Sequence, residues 1–314
     1  MTRSPRLLAF GGAHIDRRGR VSGAYVPAAS NPGTLREEVG GGTFNALRWA
    51  VRRGLSASLC SMRGGDDAGD RVARAIEAAG IRDLSAVFLD RATPSYTALI
   101  DAEGELIAGL ADMGLYDLAF PKQMRRSKLR EAAAGADALL CDANLPTAAL
   151  ERCLDLAGGK PCFSIAISPA KVVRFVPLLG RLSALFMNRR EAAALTGQAL
   201  DTPEAELVAA LRKLGLERGV VTGGSGPLLG YDAEGAFTIT PPALRDIADV
   251  TGAGDALAGA TIAALMQGQA LRPALREGVA ASMLALASAN AAPGFTSAAF
   301  AEALALVPEP MEVA

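Results

Sequence analysis

The stretch DVTGAGDALAGATIAALM, residues 249–266, sets Gly252, Ala253 and Gly254 between two aspartates and then runs into an apolar helix. A helix start leaves backbone N–H groups unpaired and carries roughly half a positive charge. Side chains this small leave those groups open to an anion such as a phosphate. The alternative is an ordinary capped helix with Thr251 or Asp255 in its first turn, and the glycines alone do not separate the two. Asp255 shifts the balance. A carboxylate is repelled by a neighbouring anion, so its presence there makes sense if it takes the proton of an attacking hydroxyl. Phosphoryl transfer depends on positioning and charge neutralisation, and a weak base suffices. The helix dipole is expected to keep Asp255 ionised. Asp249 is expected to orient a substrate or support a cation.

Other chemistries fit the sequence less well. There is no GxxxxGK[ST] phosphate loop. The first βα turn reads GGAHID, residues 11–16, and lacks the GxGxxG of a dinucleotide fold. His14 has no Ser or Cys partner at a nucleophile elbow, which leaves hydrolase readings weak.

These residues need a scaffold. RLLAFGG (6–12) reads as a buried strand stopped by glycines, and 13–44 as short strands outside the main sheet. A helix is expected over 43–54, a strand over 57–64 and a helix over 66–81. SYTALIDAEGELIAGL (95–110) reads as a hairpin turning at Asp101–Gly104. Strands are expected at 136–144, 161–167, 184–188 and 218–224, alternating with helices at 147–159, 189–197 and 203–215. Such alternation implies an α/β fold with a parallel sheet covered on both faces. The stretch 252–292 reads as helical, and the final PEPMEVA as a loose tail.

Length and composition agree. The chain has 314 residues, 50% of them hydrophobic, and suits one large α/β domain over 1–314. A formal net charge of −1 argues against nucleic-acid binding. The basic cluster Arg125, Arg126, Lys128 and Arg130 reads as a solvated helix face. Cys60, Cys141, Cys153 and Cys162 show no CxxC spacing, and with one histidine a zinc site has too few ligands at the right spacings. A reduced, cytoplasmic protein is expected, with no membrane span.

DVTGAGDALAGA resembles the C-terminal signature of the ribokinase-like, or PfkB, carbohydrate and nucleoside kinases. VGGGTFNALRWAVRRGLSASLCSMRGGDDAGDRVARAIEAAGI (39–81) is similar to that family's N-terminal glycine motif, FMNRREAAALTG (186–197) to its NxxE segment and VVTGGSG (220–226) to its nucleotide loop. GGAHID, SNPG (30–33), TPSYTALIDAEGELIAGLADM (93–113), CDAN (141–144) and ISPAK (167–171) look most like the pseudouridine kinases within it. The resemblance implies a ribokinase-like parallel-core sheet flanked by helices, with a small β-sheet lid from about 13–44 and 95–112. It implies transfer of the ATP γ-phosphate to the 5′-hydroxyl of pseudouridine. Another nucleoside, ribose or a fructose-type sugar stands as an alternative, as does a non-catalytic nucleoside sensor.

Roles follow position by position. Asp255 would be the base, and the amides of Gly252, Ala253 and Gly254 the anion hole. Asn188 and Glu191 would act on the Mg²⁺–phosphate network, although the pair also reads as a helix capping box. Asp16, Gly41, Gly42 and Asn45 would bind sugar hydroxyls. Asn144 is expected at the sugar, though Asp142 and Asn144 also suit a turn before Pro146. Ser95, Tyr96 and Asp112 are expected to face the base. Lys171 would reach the base or a phosphate, or be simply solvated. Thr222, Gly224 and Gly226 would form the nucleotide loop, where Pro227 departs from the usual pattern. Ile165 stands where many relatives carry aspartate. The resemblance also implies K⁺ near Asp249, Thr251 and residues 286–294, and a homodimer formed through the lid.

Overall fold

The run RLLAF forms strand β1 (Arg6–Phe10). Its side chains alternate between two cores: Leu7 and Ala9 enter one, Leu8 and Phe10 the other. A strand apolar on both faces belongs inside a parallel sheet with helices above and below. The computed structural model describes residues 3–244, 247–288 and 290–313.

From β1 the chain enters β2 (His14–Val21) and β3 (Gly33–Gly40), then helix α1 (Gly42–Arg52), β4 (Ser56–Cys60) and β5 (Met62–Gly64). Helix α2 (Asp67–Ala78) precedes β6 (Arg82–Asp83) and β7 (Ala86–Phe88). The expected hairpin is β8 (Ser95–Ile100) and β9 (Leu106–Asp112). Helices α3 (Gly114–Gln123) and α4 (Ser127–Gly135) lead to β10 (Ala138–Asp142), α5 (Thr147–Ala157) and β11 (Cys162–Ile165). Next come α6 (Pro169–Val172), a 3₁₀ segment (Val173–Arg181), β12 (Ala184–Asn188), α7 (Arg189–Thr196) and α8 (Glu204–Lys213). Strands β13 (Gly219–Gly223), β14 (Gly226–Asp232) and β15 (Gly235–Ile239) precede α9 (Ala253–Met266), α10 (Leu271–Leu286), α11 (Ser297–Leu306) and β16 (Met311–Glu312).

The main sheet has the order β16-β15-β14-β13-β12-β11-β10-β1-β4-β6. From β13 to β6 all neighbours are parallel, and β14, β15 and β16 add an antiparallel edge. The core of the sheet is parallel, as expected, and the antiparallel edge extends it. The tail is not loose: β16 pairs with β15, and Glu312 meets Arg272 at 2.9 Å. ASLCSMRG divides, with β4 in the main sheet and β5 paired to β7 in a separate one. The chain reverses its direction of winding at β1, which lies between β10 and β4, so a crevice opens beyond the carboxyl ends of β1 and β10.

Over that crevice lies the lid, a four-stranded sheet of order β3-β2-β8-β9. It ends at Gly40, because Gly42–Phe44 already belong to α1. Among the described residues no helix is long and apolar enough to cross a membrane.

Helix α9 lies directly on α1, and Gly259 makes this possible. A Cβ at Gly259 would sit 2.2 Å from the Ala46 carbonyl oxygen of α1. Backbone cannot yield as a flexible side chain can. Gly259→Val is expected to destabilise the fold by at least about 2 kcal/mol, within the range for forced overpacking. Urea unfolding checks this, and an unchanged midpoint would refute the packing argument.

Candidate active site

Helix α9 begins without a cap. Its first flanking residue, Gly252, has φ 79°, and no side chain bonds to the helix start. A Cβ at Gly252 would lie 2.5 Å from that of Ala291, and the positive φ would strain any other residue. Gly254 is exposed, and a Cβ there would meet nothing within 4 Å. The capped-helix alternative therefore fails among the described residues; Gly254 lines the cavity beside Asp255, whereas Gly252 and Ala253 lie outside its lining.

Asp255 follows in the first turn. Its Oδ2 accepts a hydrogen bond from Asn45 Nδ2 of α1 at 3.0 Å. Burial pushes the Asp255 carboxyl up to about 7, and the charges of Asp16 and Asp142 add to this against the Asn45 bond. This corrects the expectation that the helix dipole keeps it ionised throughout. Asn45 is itself buried, and its Oδ1 has no hydrogen-bond partner among the described residues.

A cavity of about 470 Å³ runs from this point in two directions. One wall carries Asp16, Gly41, Gly42 and Asn45. His14 Nε2 lies 3.2 Å from Asp16 Oδ1, and His14 Nδ1 lies 3.3 Å from the buried Tyr116 hydroxyl. Sequence reasoning set His14 aside for want of a nucleophile partner. The available signal was its spacing: His14 and Asp16 stand two apart on β2 and so share a face.

The floor holds Asn144, Ile167, Ser168 and Lys171. Lys171 Nζ donates to Asn144 Oδ1 at 2.6 Å, and burial lowers the lysine's pKa. Asp142, fully buried, accepts from Gly12 N at 2.9 Å, Thr43 Oγ1 at 2.7 Å and Asn144 N at 2.9 Å. It thus joins the end of β1, the start of α1 and the turn after β10. The turn-shaping reading applies to Asp142, while Asn144 shapes the turn and also faces the cavity.

Of the β8–β9 hairpin, Tyr96 and Ala111 line the cavity. Ser95 and Asp112 do not. They pair with each other across β8 and β9, next to the Tyr96–Ala111 pair, and successive strand residues point to opposite faces. Ser95 Oγ accepts from Arg17 at 3.0 Å, and Asp112 is exposed beside a separate cavity.

The other arm of the cavity passes Asn188, Glu191 and Thr222. The capping box is present. Asn188 Oδ1 accepts from Glu191 N at 2.9 Å, and Glu191 Oε2 accepts from Asn188 N at 2.7 Å. Burial raises the Glu191 carboxyl, opposed by the bonds from Asn188. Gly224, with φ 67°, and Ser225 form the two-residue turn between β13 and β14, because Gly223 pairs with Gly226. Gly224 and Gly226 lie outside the cavity lining, and Pro227 falls within β14 beyond the turn.

Asp249 has a different place from the one expected. Its Oδ1 accepts from Thr251 N at 2.8 Å, shaping the turn into the helix. Its Oδ2 accepts from Arg18 of the lid strand β2. The bonds and the Arg18 charge hold its carboxyl below the ordinary value against the opposing effect of burial.

The sequence of residues 4–298 matches the pfkB family carbohydrate kinases. The chain is 28% identical over 283 residues to the pseudouridine kinase of Escherichia coli (strain K12), spanning 89% of this chain and 90% of that protein. Among solved structures, a carbohydrate kinase from Agrobacterium tumefaciens is 42% identical with a TM-score of 0.86, over 98% of this chain and 100% of that one. Ribokinase of Arabidopsis thaliana, complexed with ribose and ATP, has a TM-score of 0.82 at 20% identity, over 96% and 99% of the two chains. That last likeness is one of fold. A family match extending over nearly the whole sequence establishes that this chain belongs to the pfkB family of carbohydrate kinases, phosphotransferases that take an alcohol group as acceptor.

Proposed function

We propose that the protein transfers the γ-phosphoryl group of ATP to the 5′-hydroxyl of a nucleoside, and that the nucleoside is pseudouridine. The observation that carries the transfer step is the uncapped tip of α9 beside Asp255, open to a cavity that continues past Thr222 on one side and Asp16 on the other. The Asp255 carboxylate accepts the acceptor hydroxyl's proton as its oxygen bonds to the γ-phosphorus. The bond to the bridging oxygen breaks, and ADP leaves. The amides of Gly252, Ala253 and Gly254 receive the charge on the transferring group.

Asp16 accepts hydrogen bonds from sugar hydroxyls, with His14 holding its orientation, and Asn45 Oδ1 takes a further hydroxyl proton donor. The nucleobase reading rests on the Lys171–Asn144 end. An ammonium and an amide side by side match a pyrimidine's carbonyl and N–H edge, whereas a free pentose leaves them unused. Similarity to the Escherichia coli pseudouridine kinase supports the same choice.

Asn188 and Glu191 offer hard oxygens that fit Mg²⁺ held largely through water, since their mutual bonds leave a Glu191 oxygen for the hydration shell. When bound, Mg²⁺ would screen the phosphate charges. The residues do not fit K⁺ at Asp249, because the Arg18 guanidinium already balances that carboxylate; of 286–294, Ala289 lies outside the described residues. We read the outward lid face, with Leu35 and Leu110 at 63% and 69% exposure, as the surface that a second copy covers.

Asp255→Asn is expected to keep nucleoside binding and lose at least ~10²-fold in turnover. In the unsubstituted enzyme kcat/KM should fall about tenfold per pH unit below about 7, as the base protonates. The stability sign is opposite. A raised carboxyl pKa favours the folded state while the group is neutral, and that contribution is lost as pH rises through about 7. Asp255→Asn should therefore melt no lower than the parent at pH 8. Near-normal turnover in the variant would remove Asp255 from the role of base.

Arg18 connects the lid to the anion hole. Arg18→Ala is expected to lower kcat about tenfold, the scale of one charge-assisted hydrogen bond. It should also raise ATP hydrolysis without nucleoside relative to nucleoside phosphorylation. An unchanged ratio would show the pair to be ornamental.

Initial rates with pseudouridine, uridine, ribose and adenosine test the substrate. Pseudouridine should give the highest kcat/KM, and Lys171→Met should narrow its margin over ribose. A higher kcat/KM for ribose would make the protein a sugar kinase. Binding of one compound with no phosphorylated product from any would make it a nucleoside sensor.

A further inference from the structure

The chain has four cysteines, and three of them meet. Cys141 lies on β10, Cys153 on α5 and Cys162 on β11, and all three are buried. Their sulfur atoms lie within 4.8 Å of one another. Ser164, also fully buried, places its Oγ 3.2 Å from Cys141 Sγ. The cluster belongs to the core layer opposite α1 and α9, apart from the catalytic cavity.

Buried thiols often serve as small apolar fillers. Two features here point elsewhere. The three residues come from three separate elements, so no local repeat brings them together. A hydroxyl also stands among them in an otherwise apolar layer, where a polar group without a strong partner is costly. We propose that Cys141, Cys153 and Cys162 bind one thiophilic divalent d¹⁰ ion of the zinc type, with the Ser164 hydroxyl as fourth donor. A tetrahedral site with metal–sulfur bonds of about 2.3 Å needs sulfurs roughly 3.8 Å apart. A contraction of an ångström or less from the outer limit reaches that spacing. Each ligating thiol gives up its proton and binds as the thiolate, so uptake of one M²⁺ ion releases three H⁺. The ion would fasten α5 to β10 and β11, next to Asp142 and the loops it holds. Spacing along the chain concealed the site, since the three cysteines are nine or more residues apart. This inference is independent of the kinase reading.

Cd²⁺ is the probe, because its thiolate complexes absorb in the ultraviolet. Reduced, chelator-treated protein is titrated directly, and also refolded from urea with Cd²⁺ present, since the site is enclosed. Expected are a charge-transfer band saturating at one ion per chain, a raised Tm, and displacement by Zn²⁺. Cys153→Ser and Cys162→Ser should each weaken binding at least tenfold, while Cys60→Ala leaves it unchanged. If the serine variants do not fold, the unsubstituted chain decides. Refolded with one equivalent of Cd²⁺, it should keep the ion through gel filtration and melt higher than the ion-free protein. The proposal is overturned by a missing band under both loading routes, by a band that saturates at the same Cd²⁺ concentration in either serine variant as in the unsubstituted chain, or by equal melting with the ion lost.

Discussion

Leaving a helix N-terminus bare forfeits the roughly 1 kcal/mol that a capping side chain contributes. In this protein that deficit is maintained by construction. Gly252 takes a left-handed conformation pressed against Ala291, so a cap cannot be installed at that position without strain. Asp249, the nearest carboxylate before the helix, is turned away by Arg18 and spends its second oxygen on Thr251 N. Gly254 leaves the approach clear. The helix can keep its open end because its body is held elsewhere, by the close α1–α9 contact at Gly259 and by α10.

The same logic sorts the acids of the cavity. Asp142 has three donors, Asp16 has His14 and Asp255 has Asn45 alone. Burial raises the Asp255 carboxyl to about 7 against that single bond. A carboxyl poised near neutrality is a better proton acceptor than one fully satisfied by its neighbours. Distinct environments thus set the three aspartates apart: Asp142 ties loops together, while the proposed function assigns sugar hydroxyls to Asp16 and the proton to Asp255.

Much of this was legible in the sequence because it is local. The parallel strands, the lid hairpin and the glycine-opened helix each announce themselves within a dozen residues. What was missed depends on distant partners or on phase. Arg18 and Asp249 are 231 positions apart, so nothing in either segment shows that Asp249 is already paired. Strand β16 exists only because β15 offers an edge. Asp112 and Ser95 were chosen from the correct hairpin but stand one residue out of phase with Tyr96 and Ala111, and alternation sends them away from the cavity. The Asn188–Glu191 pair was ambiguous for a physical reason: a capping box and a metal-adjacent pair use the same residues at the same spacing, and the cap is present.

The Lys171 end gives the substrate argument its sign. A lysine drawn partly out of water, with its pKa lowered by burial and Asn144 as its near partner, has unmet donor capacity. A ligand with a carbonyl there satisfies it. A ligand without one seals the ammonium under the lid with fewer bonds than it had in water, a penalty that a missing contact on an apolar wall would not carry. On the proposed function, discrimination against a bare sugar would therefore come less from attraction to the base than from the cost of closing over nothing. On that proposal the Arg18–Asp249 pair, which joins the lid strand to the turn before the helix tip, would tie substrate choice to the proposed anion hole.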